Sequence, residues 1–256
     1  MSASRRSFIA LGAAAWITCG ALPGAAAAAS RPAELQLPAG SRVGLVNLLD
    51  AEVTHFHASR RLQDSFLRTY TVTWPVEAML ADAVRERLVR LGFVPVPVAA
   101  PEALNRAREE CFLNSNLAKG LSKECLAPYA QIAAAEKVSA FVVLGPGLNN
   151  ATHAQATRRK ELPEYLRGWC LVSGEGYSPP VLLNLTELIL IGITPQAALL
   201  TQREWGGAPA PNWTGFVAPA DLKALPDAQL KQLQPLYAAL LAQQAAGLLE
   251  HIAVAR

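Results

Sequence analysis

Charge, cysteine and recognisable catalytic motifs are all scarce in this chain of 256 residues. Only 17% of its residues are charged and 52% are apolar, so it can bury a substantial core and is not a disordered polyelectrolyte. The formal net charge is +3, but Arg5 and Arg6 supply two of those charges and no acid precedes Glu34, which leaves +1 from Ser30 onward. A chain that close to neutral has no field with which to hold nucleic acid. There is no C-x-x-C, which removes thioredoxin-type redox chemistry and zinc ribbons. G-x-S-x-G, H-E-x-x-H, the P-loop and a complete Rossmann glycine set are also missing. Ser173 precedes Gly-Glu-Gly but lacks a glycine two residues before it, so it forms no nucleophile elbow.

What is present begins at the amino terminus. Arg5 and Arg6 precede a short apolar run from Phe8 to Ile17, and Ala27 and Ala29 offer an A-x-A cleavage site before Ser30. A positive n-region, a short h-region and small residues at the end read as a secretory signal over residues 1–29. Ser4-Arg5-Arg6-Ser7-Phe8-Ile9 resembles the twin-arginine consensus S-R-R-x-F-L, with Ile where Leu is usual. That resemblance implies a periplasmic location and a domain that folds before it is exported. The run is too short and too weak for a spanning helix, so no transmembrane span is expected in the mature chain. Cys19 offers an alternative, a membrane-anchored lipoprotein tethered by the Ala/Pro-rich stretch that follows.

Three cysteines remain beyond the signal. In an oxidising compartment Cys111 and Cys125 are the candidate disulfide, flanking a polar stretch from Asn114 to Gly120. Cys170 lies in the apolar run Trp169-Cys170-Leu171-Val172 and reads as a small buried hydrophobe.

The remaining chain alternates strand and helix signals. Val43–Leu49 is apolar on both parities, as in a strand covered on both faces. A polar and aromatic stretch runs from Glu52 to Trp74. Val76, Met79, Leu80, Ala83, Val84, Leu88 and Leu91 then mark one helical stripe, ended by Gly92. Pro95 and Pro97 in the extended run Phe93–Val98 each lack a ladder donor, so that strand belongs at an edge. Helices near Glu102–Phe112 and Glu124–Lys137 lead to a buried strand over Ser139–Leu144. Strands at Gly168–Ser173, Val181–Ile193 and Ala198–Trp205 are separated by short turns. A last helix over Asp227–Ala253 carries Leu230, Leu233, Tyr237, Leu240, Leu241, Leu248 and Ile252 on one stripe, with Pro235 a point of kinking or division. These patterns predict a single α/β domain over residues 41–256, after a flexible Ala/Pro-rich segment at 30–40. Its single mixed sheet is β-α-β-α-β followed by an antiparallel meander, packed by helices, with a long C-terminal helix.

Gly44–Asp50, Thr54-His55-Phe56-His57 and Tyr70–Pro75 together resemble uncharacterised exported bacterial envelope proteins. The order of elements is similar to the amino-terminal α/β domain of the Tol-system translocation protein. That second likeness is one of topology and brings no functional residues with it.

The most chemically loaded segment is Asp50-Ala51-Glu52-Val53-Thr54-His55-Phe56-His57. In an extended chain His55 and His57 point to one side, where they could share a divalent metal or an anion. Asp50 closes a strand, where α/β sheets place their ligands, and Glu52 adds a carboxylate. No third histidine is near: His153 and His251 lie far along the chain. A crevice at the strand ends would gather Asp50, the loop Gly145-Pro146-Gly147 with Asn149 and Asn150, and the polar stretch around Arg60, Arg61 and Tyr70. Arg158-Arg159-Lys160 reads as a solvated loop, and Trp205, Trp213 and Phe216 as aromatics that pack a long loop. The expectation is a non-catalytic exported binding or accessory protein, with an envelope protein as a possible partner. The alternatives are a metal- or small-ligand-binding protein using the Asp50–His57 segment, and a periplasmic enzyme. Intact-mass analysis of the exported protein is expected to give an amino terminus at Ser30; a lipid-modified Cys19 would instead place it on the membrane.

Overall fold

Two periodicities, 2 along strands and 3.6 along helices, account for most of the buried residues. The computed structural model describes residues 34–113, 121–147, 166–195, 197–206, 213–219, 221 and 223–255. The proposed signal, with Arg5, Arg6 and Cys19, lies outside these. Residues Arg31–Arg256 cluster as one compact unit.

The sheet is built around four parallel segments. They are β2 (Arg42–Asn47), β3 (Glu52–Ala58), β6 (Ala140–Pro146) and β7 (Gly168–Gly174). β2 pairs parallel with β6, and β3 pairs parallel with β7. A seventeen-residue strand, β8 (Tyr177–Ile193), runs antiparallel to both. It pairs with β6 from Thr186 to Gly192 and with β7 from Tyr177 to Leu185. β9 (Ala198–Trp205) pairs antiparallel with the far half of β8, and β4 (Phe66–Thr71) pairs antiparallel with β3. β5 (Val94–Pro97) pairs only with β2, at the edge where its prolines predict it. The expected mixed sheet and meander are present. The stretch after Asp50, which the sequence presents as a polar connection, instead supplies β3 and β4. A small parallel pair, β1 (Leu35–Leu37) with β10 (Ile252–Val254), also lies outside the expected set.

Helices cover both faces. α1 (Val76–Arg90) and α4 (Asp227–Leu248) share a core with Val43, Leu45, Val142, Leu144, Leu188 and Leu190. α2 (Glu102–Leu113) and α3 (Lys123–Glu136) share another with Val46, Phe141, Val143, Ile189 and Ile191. The alternation of Leu188 and Leu190 with Ile189 and Ile191 is the pleat itself. On the second face, aromatic rings lie across glycines: a Cβ on Gly44 would stand 2.5 Å from the Phe141 ring, and one on Gly145 2.4 Å from Phe112. Trp74, Trp169 and Tyr237 cluster on the first face with ring centroids 5.3 to 5.8 Å apart. The Tyr237 hydroxyl donates to the Cys170 carbonyl at 2.6 Å, which ties α4 to β7.

α4 buries the predicted stripe and runs unbroken through Pro235. It ends at Leu248, short of the predicted Ala253, and the chain passes through a single 3₁₀ turn into β10. Gln244, on the buried side of α4, satisfies the polar groups at the middle of β8. Its Oε1 accepts from Thr186 Oγ1 at 2.9 Å and Asn184 Nδ2 at 3.2 Å, and its Nε2 donates to the Glu204 carbonyl at 2.7 Å. No helix among the described residues is long and apolar enough to cross a membrane.

Cys111 and Cys125 form a disulfide, with Cα atoms 5.7 Å apart, between α2 and α3. Cys170 is buried, and burial pushes its thiol up to about 12. The disulfide closes a loop with a sequence separation of 14, and constraint of the unfolded chain by such a loop is worth about 3 kcal/mol. Urea unfolding of the Cys111→Ala/Cys125→Ala double variant should show a loss of that size, and a loss below about 1 kcal/mol would show that the bridge is incidental to stability.

Candidate functional site

The sheet is interrupted at matching places. β2 ends at Asn47 and β3 begins at Glu52; β6 ends at Pro146 and β7 begins at Gly168. Asn47 fixes the exit from β2 by accepting from the Leu49 backbone N–H at 3.0 Å, while its amide donates to Glu77 on α1 at 3.2 Å. The interruption opens a cleft at the carboxyl ends of β2 and β6, the position at which α/β sheets present ligand-binding groups.

A cavity of about 130 Å³ occupies the cleft, lined by the charged and polar groups Asp50, Glu52, Thr54, Thr69, Arg108 and Arg167. It shares Leu48, Leu49, Asp50 and Arg108 with a wider groove of about 650 Å³ that extends to Asn105 and Glu77. Arg108, from α2, grips Asp50 with both ends of its fork: Nη1 donates to Oδ1 at 2.7 Å and Nη2 to Oδ2 at 2.5 Å. The Asp50 side chain is 53% exposed and that of Arg108 26%. A pair so open to solvent adds about 1 kcal/mol or less to stability. The Arg108–Cys111 spacing of one helical turn, together with the disulfide, ties the region that carries Arg108 to α3.

The other half of the predicted site lies elsewhere. His55 and His57 share a face of β3, as their spacing predicts, but Glu52 and Thr54 have the opposite parity and face the cleft. The four residues Asp50, Glu52, His55 and His57 therefore do not converge. His55 and His57 instead meet at Ser173, which the register sets opposite His57 on β7. His55 Nε2 is 2.7 Å and His57 Nδ1 2.9 Å from the Ser173 hydroxyl, which can donate to one ring and accept from the other. Phe66 from β4 stacks on His57 with ring centroids 5.1 Å apart and packs edge-on to His55 at the same distance.

Burial, then the neighbouring His57 imidazole, hold His55 down at about 4. Burial also lowers His57. Both rings are thus neutral at physiological pH. Ser173 is 1% exposed and His55 0%, so the hydroxyl between two bases is sealed from substrate. A metal shared by these rings would have to displace Ser173. No group of three or more His, Cys, Asp or Glu side chains able to hold a metal occurs among the described residues.

Pro146 reaches the cleft, whereas Gly145 and Pro146 belong to β6 rather than to a turn. Arg60 pairs with Glu175 at the far end of β3, and the Tyr70 hydroxyl donates to the Lys223 carbonyl at 2.9 Å, so neither joins Asp50. Trp213 is 4% exposed and packs with Phe216 at 5.3 Å, as loop-packing aromatics do. Asn149, Asn150, His153 and Arg158–Lys160 lie outside the described residues. Arg108, Arg167, Thr69 and Ser173 carry no sequence signal that marks them; the sheet's pairing and the packing of α2 bring them to these positions.

No protein-family model matches the chain, and no curated protein matches it. Among solved structures, the chain is similar to a hypothetical protein from Chlamydia trachomatis, with 9% identity over 83% of this chain and 98% of that one and a TM-score of 0.37. A likeness of that degree assigns neither fold nor function.

The neutral histidine pair sets a pH dependence. An unfolded chain takes up a proton on His55 below about pH 6.5, which the folded chain refuses until about pH 4, so stability falls as pH falls through that window. The loss is on the order of 2–3 kcal/mol. Burial raises Glu187, which contributes in the opposite direction. Comparison with His55→Gln therefore isolates the histidine term: urea midpoints at pH 7 and pH 4.5 should fall more steeply for the parent chain than for the variant. Equal slopes would show that His55 stays neutral in neither state preferentially.

Proposed function

We propose that this chain is an exported, non-catalytic binding protein that takes a small polar ligand in the cleft between the two halves of its sheet. The bidentate Asp50–Arg108 pair in the lining of the cavity carries the reading. It places two groups of strong hydrogen-bonding capacity, one an acceptor and one a donor, where a ligand can reach them, and contributes little to stability in return. The cavity is small enough to select a molecule of a few heavy atoms. The resemblance of residues 1–29 to a twin-arginine signal supports a periplasmic site of action, and the Cys111–Cys125 bridge is compatible with an oxidising compartment.

The non-catalytic part of the proposal rests on access. Ser173, whose hydroxyl is held by the His55 and His57 imidazoles, is sealed in the core and lines none of the cavities described above. A nucleophile must reach its substrate before its activation matters.

Thermal-shift measurements on the exported protein with amino acids, carboxylates, amines, phosphates and sugars test the binding reading. At least one class should raise the melting temperature, in proportion to ligand concentration over Kd. Asp50→Ala should abolish that shift while changing stability by no more than about 1 kcal/mol. No shift with any class, or a shift that persists in Asp50→Ala, would remove the cleft as the binding site.

A further inference from the structure

We infer, independently of the cleft reading, that β4 is a pairing edge and that its occupant is a second copy of this chain, joined strand to strand in antiparallel about Thr69. Two edges of the eight-stranded sheet, β5 and β4, differ in what they offer a further strand. On β5, Val94 N–H donates to the Ser41 carbonyl and Val98 N–H to the Leu45 carbonyl, both at 2.9 Å. Backbone groups alternate in direction along a strand, so Pro95 and Pro97 hold the outward positions and offer no donor there. On β4, Val72 N–H, one residue past the strand, donates to the Ala51 carbonyl at 2.8 Å. The same alternation turns the backbone groups of Phe66, Arg68 and Tyr70 toward β3 and leaves those of Leu67, Thr69 and Thr71 directed outward. No backbone hydrogen bond reaches these outward groups among the described residues. β4 has no proline and no register shift, and Arg68 is its only charge, so it lacks the devices that close an exposed edge.

A second copy fits this edge because β4 is complementary to itself. With Thr69 on the two-fold axis, Thr69 faces Thr69 of the second copy, and Leu67 faces the other Thr71. All of these are outward positions, so each pair exchanges both of its N–H···O bonds. Arg68 then stands opposite Tyr70 of the second copy and away from the other Arg68. In its own strand the Arg68 guanidinium already lies 5.6 Å from the Tyr70 ring centre, and the same attraction is available across the axis. Moving the axis to Arg68 sets two guanidinium groups against each other and leaves Thr71 outside the ladder. Moving it to Tyr70 leaves Leu67 outside the ladder and takes Arg68 off the aromatic ring. Leu67, 44% exposed on one copy, is covered in the favoured register. The net charge of +1 from Ser30 onward gives two copies little reason to repel. Thr69 lines the cavity beside Thr54, their hydroxyls 3.3 Å apart, so the pairing brings the cavities of both copies to one face of a continuous sheet.

Sedimentation velocity of the exported protein from about 1 μM to 1 mM, the range of weak interfaces, should show a monomer–dimer equilibrium. Leu67→Pro removes an outward N–H that is unbonded among the described residues, and should weaken the dimer at least tenfold with an unchanged circular dichroism spectrum. Thr69→Cys should form a disulfide-linked dimer on mild oxidation, because a hydrogen-bonded pair sets its Cα atoms about 5.5 Å apart. Arg68→Cys should not, because its two copies lie about 7–8 Å apart on the diagonal. Cys170, the free cysteine among the described residues, is buried and does not compete. A monomer at every concentration, with no cross-link in Thr69→Cys, would rule out the pairing. So would a monomer whose Leu67, Thr69 and Thr71 amides resist hydrogen exchange, since the edge would then be covered by the chain itself. A dimer that survives Leu67→Pro and leaves Thr69→Cys unlinked uses another surface, and cross-linking of Arg68→Cys in place of Thr69→Cys overturns the assigned register.

Discussion

One long strand constrains the whole sheet. β8 is buried on every residue from Leu182 to Gly192, and it pairs with β6 along one half of its length and with β7 along the other. β6 and β7 in turn set β2 and β3, so a register slip in β8 would move every apolar side chain to the wrong face in both halves. A strand buried on two faces normally carries only apolar residues. β8 departs from this at Asn184, Thr186 and Glu187, and each is answered by a partner from another element. Gln244 of α4 meets Asn184 and Thr186, and Arg203 of β9 meets Glu187. Because an unmet polar group in a core costs about 1–3 kcal/mol, these contacts favour one seating of α4 and β9 on the strand.

The same arrangement creates the cleft. While β8 continues without a break, its neighbours do not: β6 stops at Pro146 and β7 starts at Gly168, beside the matching gap between β2 and β3. Side chains from α2 and from the starts of β3 and β7 line the space, among them Arg108, Glu52, Thr54 and Trp169. The cleft thus lies where β6 gives way to β7 along the continuous β8 and, one strand further out, β2 gives way to β3. On β3 itself Glu52 and Thr54 face the cleft and the histidine pair faces the other side, and the period of two allows no intermediate position. Segment Asp50–His57 therefore serves two environments. Its even-numbered residues Asp50, Glu52 and Thr54 line a solvent-reaching cavity, and His55 is sealed against Ser173, Phe66 and Tyr70.

Several elements are legible in the sequence because their signals are local. The α1 and α4 stripes, the edge position of β5 and the shared side of His55 and His57 all follow from spacing within one element. β3 and β4 escape such a reading. Their polar residues alternate with aromatic and β-branched ones, and four of the six residues of β4 are solvent-exposed, so the segment resembles a connecting loop. The end of α4 is misjudged for a related reason. Ile252 continues the helical stripe in the sequence, but it is buried equally well as the first residue of β10 paired with Leu35.

By itself the sequence determined the class of fold and the apolar faces, because each depends on composition or on periodicity along a single element, and it made Cys111 and Cys125 a candidate pair among three cysteines that the structure then bridges. Tertiary structure alone decided which distant residues meet. Arg108 finds Asp50 across 58 positions and Ser173 finds His55 across 118. Those meetings depend on strand order, register and helix placement, which are set by the burial of the whole core and not by the residues in contact.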